Sequence, residues 1–274
     1  MAWDATLNTD VATEFKNAEL TLFLRMGFKQ INPAGGAATG TYNDYGSPAA
    51  TPRKIVKWTP SAWASWKNNF VSSAEKFWKG KFWLINNFSL LEYTYKGQKY
   101  IPNISCGFKL SGGDATNATS SSFHHIIEVV RLDKSETWFG SHSRLYDSLD
   151  TSSVPKASDS NGKPIFQQAH VHEVGHLLGL GHVDEGKPHC PTNGNTNARA
   201  CYGVTDKDKN SVMGSGMQLR PKQANPWRLA MKEFTKKGNL FVTSDWEAKL
   251  NKYYPRTPTE AANKKHFISP PKRK

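Results

Sequence analysis

Three histidines and one glutamate carry the chemistry most worth following in this 274-residue chain. They lie in the stretch His172-Glu173-Val174-Gly175-His176-Leu177-Leu178-Gly179-Leu180-Gly181-His182. With Phe166 to Leu178 helical, His172 and His176 fall one turn apart on the same face, so both imidazoles can reach a single metal ion. Glu173 lies beside the first histidine, too far round to be an obvious third ligand but placed to hold a metal-bound water and act as general base. A continued helix would carry His182 away. Gly179, which has no Cβ, can take positive φ and end the helix in a left-handed cap, after which Leu180 and Gly181 lead back to present His182. Three neutral imidazoles then leave the fourth tetrahedral position for water, the ligand count of a catalytic zinc rather than a structural one. A bare His-Glu-x-x-His also arises by chance on amphipathic helices; the glycine and the third histidine in register raise this one above that.

Downstream, Asn210-Ser211-Val212-Met213-Gly214-Ser215-Gly216 sets a methionine among small residues suited to a tight turn. With H-E-x-x-H-x-x-G-x-x-H matched at every fixed position and followed by this Met-turn, the chain resembles the metzincin clan of zinc peptidases. The resemblance implies one catalytic Zn2+ held by His172, His176 and His182, with Glu173 as general base and Met213 as a hydrophobic floor beneath the rings. It implies an activity as well, that of a metalloendopeptidase hydrolysing peptide bonds in protein or peptide substrates through a Glu-activated, zinc-bound water. As a fold it implies an α+β protein with a mixed twisted sheet, a backing helix and the active-site helix above the cleft. A smaller, mostly helical or irregular C-terminal subdomain would lie below, with Pro226 to Met231 opening the helix after the turn. In the clan, a strand beside the cleft takes up substrate as an added antiparallel strand. The subfamily stays open, because Val183 follows His182 where several subfamilies place Glu, Asp, Pro or Ser. Ser215 stands two residues after the methionine, where astacins and serralysins carry a tyrosine. The group that would steady the oxyanion is therefore unassigned, Tyr202 being one candidate.

The elements that must position these residues can be sought in hydrophobic periodicity. Val11, Phe15, Ala18, Leu22 and Met26 are spaced as on a helix over Asp10 to Phe28, ending at Gly27, and the Gly-, Ala- and Pro-rich residues Gln30 to Pro52 suggest a long loop. A short strand is expected at Ile55 to Trp58. Thr59-Pro60 then caps a helix from about Ser61 to Lys79 whose apolar stripe is Trp63, Trp66, Phe70, Ala74, Phe77 and Trp78. Strands are expected over Lys81 to Asn87, Leu91 to Lys99, Tyr100 to Leu110, Phe123 to Leu132 and Thr137 to Tyr146, with Ser111 to Ser122 a flexible loop. Beyond the Met-turn a helix over Pro226 to Lys237 stops at Gly238. Ser244 with Glu247 suggests a capping box for a last helix to Tyr254, and a basic, Pro-rich tail follows. The organisation expected is residues 1–52 as an N-terminal extension, 53–182 as the upper catalytic subdomain, 183–254 as the lower one and 255–274 as tail. His124, His125, His142, His170, His189 and His266 are expected to be surface or satisfied histidines. Asp206-Lys207-Asp208 opens like a calcium loop, but Ser211 and Met217 occupy its glycine and bidentate-glutamate positions, so it is rejected as one.

Composition sets outer bounds. Aromatics at 12% and nine tryptophans point to a globular chain despite a mean hydropathy of -0.62. No stretch is apolar enough to span a bilayer. A formal charge of +13 favours contact with an anionic polymer or surface without naming one, and no specific nucleic acid is implied. Cys190 and Cys201 flank a loop between His182 and the Met-turn, where a disulfide would pin an insertion near the site; free thiols or a metal-inhibiting cysteine are the alternatives. Cys106 is expected to be buried. Met1 to Thr6 shows no basic segment before an apolar run, so a processed chain, export without such a signal, or a cytosolic protein are all open. The expectation carried forward is a secreted, periplasmic or extracellular enzyme. Two alternatives stand beside it. One is a toxin-like metallopeptidase effector acting in another cell. The other is a basic binding module with a structural zinc whose fourth ligand comes from Cys190, His189 or Asp184.

Overall fold

The structure is a computed structural model and describes residues 3–11, 16–48, 50–85, 93–95, 97–100, 103–115, 122–137, 144–191, 197–237 and 246–250. In chain order its strands are β1 (Asp4–Asn8), β2 (Ala18–Ile31), β3 (Thr39–Asn43), β4 (Pro52–Val56), β5 (Trp83–Ile85), β6 (Tyr93–Tyr95) and β7 (Gln98–Tyr100). They continue with β8 (Asn103–Asp114), β9 (His125–Val130), β10 (Leu145–Asp147), β11 (Ser153–Ser158), β12 (Pro164–Gln168) and β13 (Glu247–Lys249). The helices are α1 (Pro60–Trp78), α2 (Ala169–Leu177), α3 (Asp206–Lys209) and α4 (Asn225–Lys237). Seven strands make one mixed sheet in the order β10-β9-β2-β8-β5-β13, with β1 paired to β2. The β2–β9 and β9–β10 pairs are parallel, while β1–β2, β5–β8 and β5–β13 are antiparallel. The three further pairs are hairpins, β3–β4, β6–β7 and β11–β12. The chain is therefore α+β.

Strand β2 corrects the helix expected over Asp10 to Phe28. Ala18, Leu20, Leu22, Leu24, Met26 and Phe28 are all buried while the residues between them are less so up to Gly27, which is the period of two that a pleated strand requires. The spacing of four that suggested a helix is also two strand repeats, and Leu20, Leu24 and Phe28 break the tie. The strand passes through Gly27, so that glycine ends nothing. Within the loop expected over Gln30 to Pro52, β3 returns against β4 as a hairpin. Ser111 to Asp114 belong to β8 rather than to a flexible loop. Glu247 to Lys249 form a strand, so the last helix expected there is absent from the described residues. Ser244, Gly238, Phe15, residues 138–143 and everything beyond 250 lie outside the described residues.

Two compact units interleave along the chain. The first comprises Met1–Trp3, Leu24–Phe77 and Leu110–Gln218, and the second Asp4–Phe23, Trp78–Lys109 and Leu219–Lys274. In the first, the Thr59 hydroxyl accepts from the Ala62 amide and starts α1. Trp63, Trp66, Phe70 and Ala74 are buried along one face of the helix, three or four residues apart. Phe28 meets Trp63, Trp66 and Phe70 edge-on, and Phe70 continues the contact to Tyr146 and to the His170 ring. In the second unit, Trp227 of α4 donates its indole N–H to the Gly107 carbonyl at 2.7 Å and packs against Phe82 and Phe108. Cys106 is buried there as a free thiol.

Candidate metal centre

The helix that carries the histidines grows directly out of a hairpin. β11 and β12 pair antiparallel, with a register shift between Pro155 and Ala157 that marks a bulge at Lys156. β12 ends at Gln168 and α2 begins at Ala169. Phe166 to Gln168 are thus strand rather than helix, which shortens the expected helix by a turn without moving His172 or His176 off it. The first turn docks through His170, whose Nδ1–H donates to the Asp150 carbonyl at 2.9 Å and whose Nε2 lies 2.6 Å from the Ser73 hydroxyl of α1. His170 therefore faces away from the metal-ligating side. Burial pushes its pKa down to about 4, the Asp150 carbonyl and carboxylate opposing.

At its other end, α2 closes in a Schellman motif. The Gly179 amide returns to the His176 carbonyl at 2.8 Å and the Leu180 amide to the Gly175 carbonyl at 3.0 Å, with Gly179 at φ 93°. That turn brings His182 back. The three ligand atoms of His172, His176 and His182 lie within 4.8 Å of one another, and His176 Nε2 is 3.0 Å from both His172 Nε2 and His182 Nε2.

The protonation of these rings is decided by what stands behind them. His172 Nδ1 lies 2.7 Å from the Val212 carbonyl, and His176 Nδ1 lies 2.7 Å from the Leu180 carbonyl. A carbonyl oxygen only accepts, so both Nδ1 atoms carry the hydrogen and both Nε2 atoms present bare lone pairs. The short separation between the His172 and His176 Nε2 atoms is then a contact between acceptors. The two lone pairs repel unless a cation sits between them, and nitrogens on a tetrahedral zinc would stand about 3.3 Å apart. Burial drives the His172 pKa well below the ordinary imidazole value, helped by the neighbouring His176 and opposed by the Val212 carbonyl, which keeps the ring neutral and fit to ligate. The donor set fits a metal ion.

Gln167 and the main chain around Met213 complete the cradle. The Gln167 amide nitrogen reaches the carbonyls of Gly214 at 2.9 Å, Gly216 at 3.2 Å and Val212 at 3.3 Å, and lies 3.3 Å from His172 Nδ1. One side chain from β12 thus holds the tight turn against the first ligand. The turn closes on itself through Gly214 N to Ser211 O at 2.8 Å and Ser215 N to Lys209 O at 2.8 Å. A Cβ at Gly214 would collide with the Asp208 carbonyl, and one at Gly216 with the Asn210 carbonyl. Met213 is buried, and its carbonyl accepts the Val183 amide at 2.8 Å, which ties the turn to the residue after the third ligand.

Cys190 and Cys201 are joined in a disulfide. The next residue, Tyr202, lays its ring against His182 at 3.9 Å between centroids and nearly parallel to His172 at 5.8 Å and 16°. Burial raises the Tyr202 pKa to about 12, with the Glu173 charge adding to the effect. Glu173 itself is partly buried. Lys156 has its pKa lowered by burial, against the pull of the Asp150, Glu173 and Asp147 carboxylates. His189 donates to the buried Asp184 carboxylate at 2.9 Å, and Lys187 pairs with it as well. Burial acts to raise the Asp184 pKa, but Lys187, His189 and the Val204 amide together hold it below the ordinary carboxylate value. Among the described residues the metal-capable group consists of the three histidines.

Sequence reasoning missed Gln167, because a glutamine at the end of a strand carries no ligand signature. It also missed the Val212 and Leu180 carbonyls, which have no residue identity to find. Comparison with protein-family profiles, with curated proteins and with solved structures finds no match to the chain.

Proposed function

We propose that the chain is a metzincin-like zinc endopeptidase. The observation that carries the reading is the convergence of three Nε2 atoms, two of them stripped of hydrogen by backbone acceptors, with a glutamate next in sequence to the first. His172, His176 and His182 would hold the ion, which when bound supplies Lewis acidity toward a carbonyl oxygen and lowers the pKa of a bound water. Glu173 takes the proton as the water oxygen bonds to the carbonyl carbon of the scissile amide. It returns that proton to the nitrogen as the C–N bond breaks, releasing a carboxylic acid and an amine that at neutral pH ionise to carboxylate and ammonium.

The structural-zinc alternative asks for a fourth protein ligand from Cys190, His189 or Asp184. Cys190 is spent in the disulfide, and His189 and Asp184 are bonded to each other. That favours an open fourth position. A disulfide also suits an oxidising compartment, in keeping with a secreted or periplasmic protein.

The test uses wild type and Glu173→Gln, each assayed for bound zinc and for digestion of a peptide library. Both are expected to carry one zinc per chain, with hydrolysis by the variant lower by roughly 10²- to 10⁴-fold. A zinc-loaded variant that cleaves at the wild-type rate removes Glu173 from the mechanism, and a zinc-loaded wild type that cleaves no peptide removes the peptidase reading.

A further inference from the structure

His182 is the one of the three histidines that does not stand on α2. His172 and His176 stand on α2, so the helix fixes the spacing of their Cα atoms and the Val212 and Leu180 carbonyls fix their rings. His182 comes after the helix has ended at the Gly179 cap. Its ring meets those of His176 at 4.5 Å and His172 at 5.4 Å between centroids. Closer than either is the Tyr202 ring, at 3.9 Å between centroids and 37° between planes.

The segment that delivers Tyr202 is unusually well fastened. Cys201, the residue before it, is bonded to Cys190. The Cys201 carbonyl accepts the Asp184 amide at 3.0 Å, and the Val204 amide donates to the Asp184 carboxylate at 3.1 Å. Residues on both sides of Tyr202 are thus tied to Asp184, two positions beyond the third ligand. Behind them, the Val183 amide is bonded to the Met213 carbonyl. The Tyr202 backbone also stands so close to Gly214 that a Cβ there would lie 2.7 Å from the Tyr202 carbonyl oxygen.

We infer that Tyr202 is a positioning residue for the third metal ligand: its ring, held by the Cys190–Cys201 disulfide, orients the His182 imidazole and thereby sets the affinity of the site for its metal. The inference rests on the three imidazoles being a metal site and leaves open what reaction the loaded protein catalyses. Groups that orient a ligating ring without touching the ion typically change metal affinity by 10- to 100-fold when removed. The flat face of the ring is the working part, so the hydroxyl is dispensable for this role. Breaking the disulfide loosens the same ring, so the two changes act through one contact and overlap rather than add.

The experiment is a zinc titration by competition with a chromophoric chelator, repeated with Co2+ so that the visible d–d bands report ligand geometry. The proteins are wild type, Tyr202→Phe, Tyr202→Leu, Tyr202→Ala, the Cys190→Ser/Cys201→Ser pair, and that pair combined with Tyr202→Ala. Tyr202→Phe is expected to match wild type, while Tyr202→Ala weakens zinc roughly 10- to 100-fold and alters the cobalt bands. Tyr202→Leu keeps apolar bulk without a flat face, is expected to weaken zinc as well, and stands in should the alanine variant fail to fold. The cysteine pair is expected to weaken zinc, and adding Tyr202→Ala to it to cost little more. Zinc binding by Tyr202→Ala or Tyr202→Leu as tight as wild type overturns the role of the ring, and a Tyr202→Phe loss as large as that of alanine shifts it to the hydroxyl. An unchanged affinity in the cysteine pair overturns the link to the disulfide. None of these readouts is peptide cleavage, so a protein that shows the expected pattern yet hydrolyses nothing sinks the peptidase reading alone.

Discussion

Helix α1, 19 residues long, lays Trp63, Trp66, Phe70, Ala74 and Trp78 along one buried stripe, whereas α2 has nine residues and turns two imidazoles toward a three-histidine cluster that could hold a metal ion. The first is held by apolar area, with each large buried side chain worth about 1.5–3 kcal/mol. The second is too short to be stable on propensity. It is fixed by directional contacts, from Gln167 to three turn carbonyls, from His172 and His176 to backbone oxygens, and from His170 to Asp150 and Ser73. Packing places a helix to within the tolerance of its side chains, but hydrogen bonds set which atom of each ring faces inward. A metal site needs the second kind of control.

The difference can be broken or sharpened by substitution. The largest loss of stability is expected in α1, where Phe70→Ala removes a fully buried ring that meets Phe28, Trp66, Tyr146 and His170. It should cost about 3–5 kcal/mol in urea unfolding. A loss below about 1 kcal/mol would mean that α1 is not held as described.

Next comes the pH response of His170. Its imidazole titrates near 6.5 when unfolded and about 4 when folded, so the folded state binds fewer protons between those values. Stability is therefore fully present above about pH 6.5 and is lost as the pH falls toward 4, by about 3 kcal/mol in all. The quantity to measure is the difference between wild type and His170→Gln across that window, and equal slopes for the two would refute it.

Gln167→Leu probes the polar side of the comparison. It leaves the carbonyls of Val212, Gly214 and Gly216 without their shared donor, at a cost of about 1–3 kcal/mol. Zinc affinity is expected to fall as well, by roughly 10-fold or more, which Phe70→Ala should not do in proportion to its larger loss of stability. The smallest effect is at the α1 cap. Thr59→Ala is expected to cost about 1 kcal/mol by the same unfolding measurement and to leave zinc binding untouched.

The same contrast explains what could be found in the chain before its structure. α1 was legible because its tryptophans recur at helical spacing behind a Thr-Pro start, and packing is what periodicity encodes. The three histidines and Gly179 were legible because they are close in sequence and the turn demands a particular residue. Strand β2 was misjudged because Ala18, Leu22 and Met26 satisfy both periods, and only the sheet around it decides between them. The β11–β12 hairpin went unseen, since Pro155 and the bulge at Lys156 interrupt its alternation. Gln167 and Tyr202 act across 45 and 20 residues respectively, on Val212 and His182, and no local pattern announces such pairs.

The two acceptors that set the imidazole tautomers, at residues 180 and 212, are peptide oxygens. A mutation can exchange the side chains at those positions yet cannot delete the oxygens, so the rings keep their orientation under any substitution that packing accepts, more readily at half-exposed Leu180 than at buried Val212. Gly214 and Gly216 have no such latitude, because any larger residue would meet a neighbouring backbone oxygen. Ancestry in proteins built this way should stay visible longest at a few glycines and histidines, and fade first everywhere else.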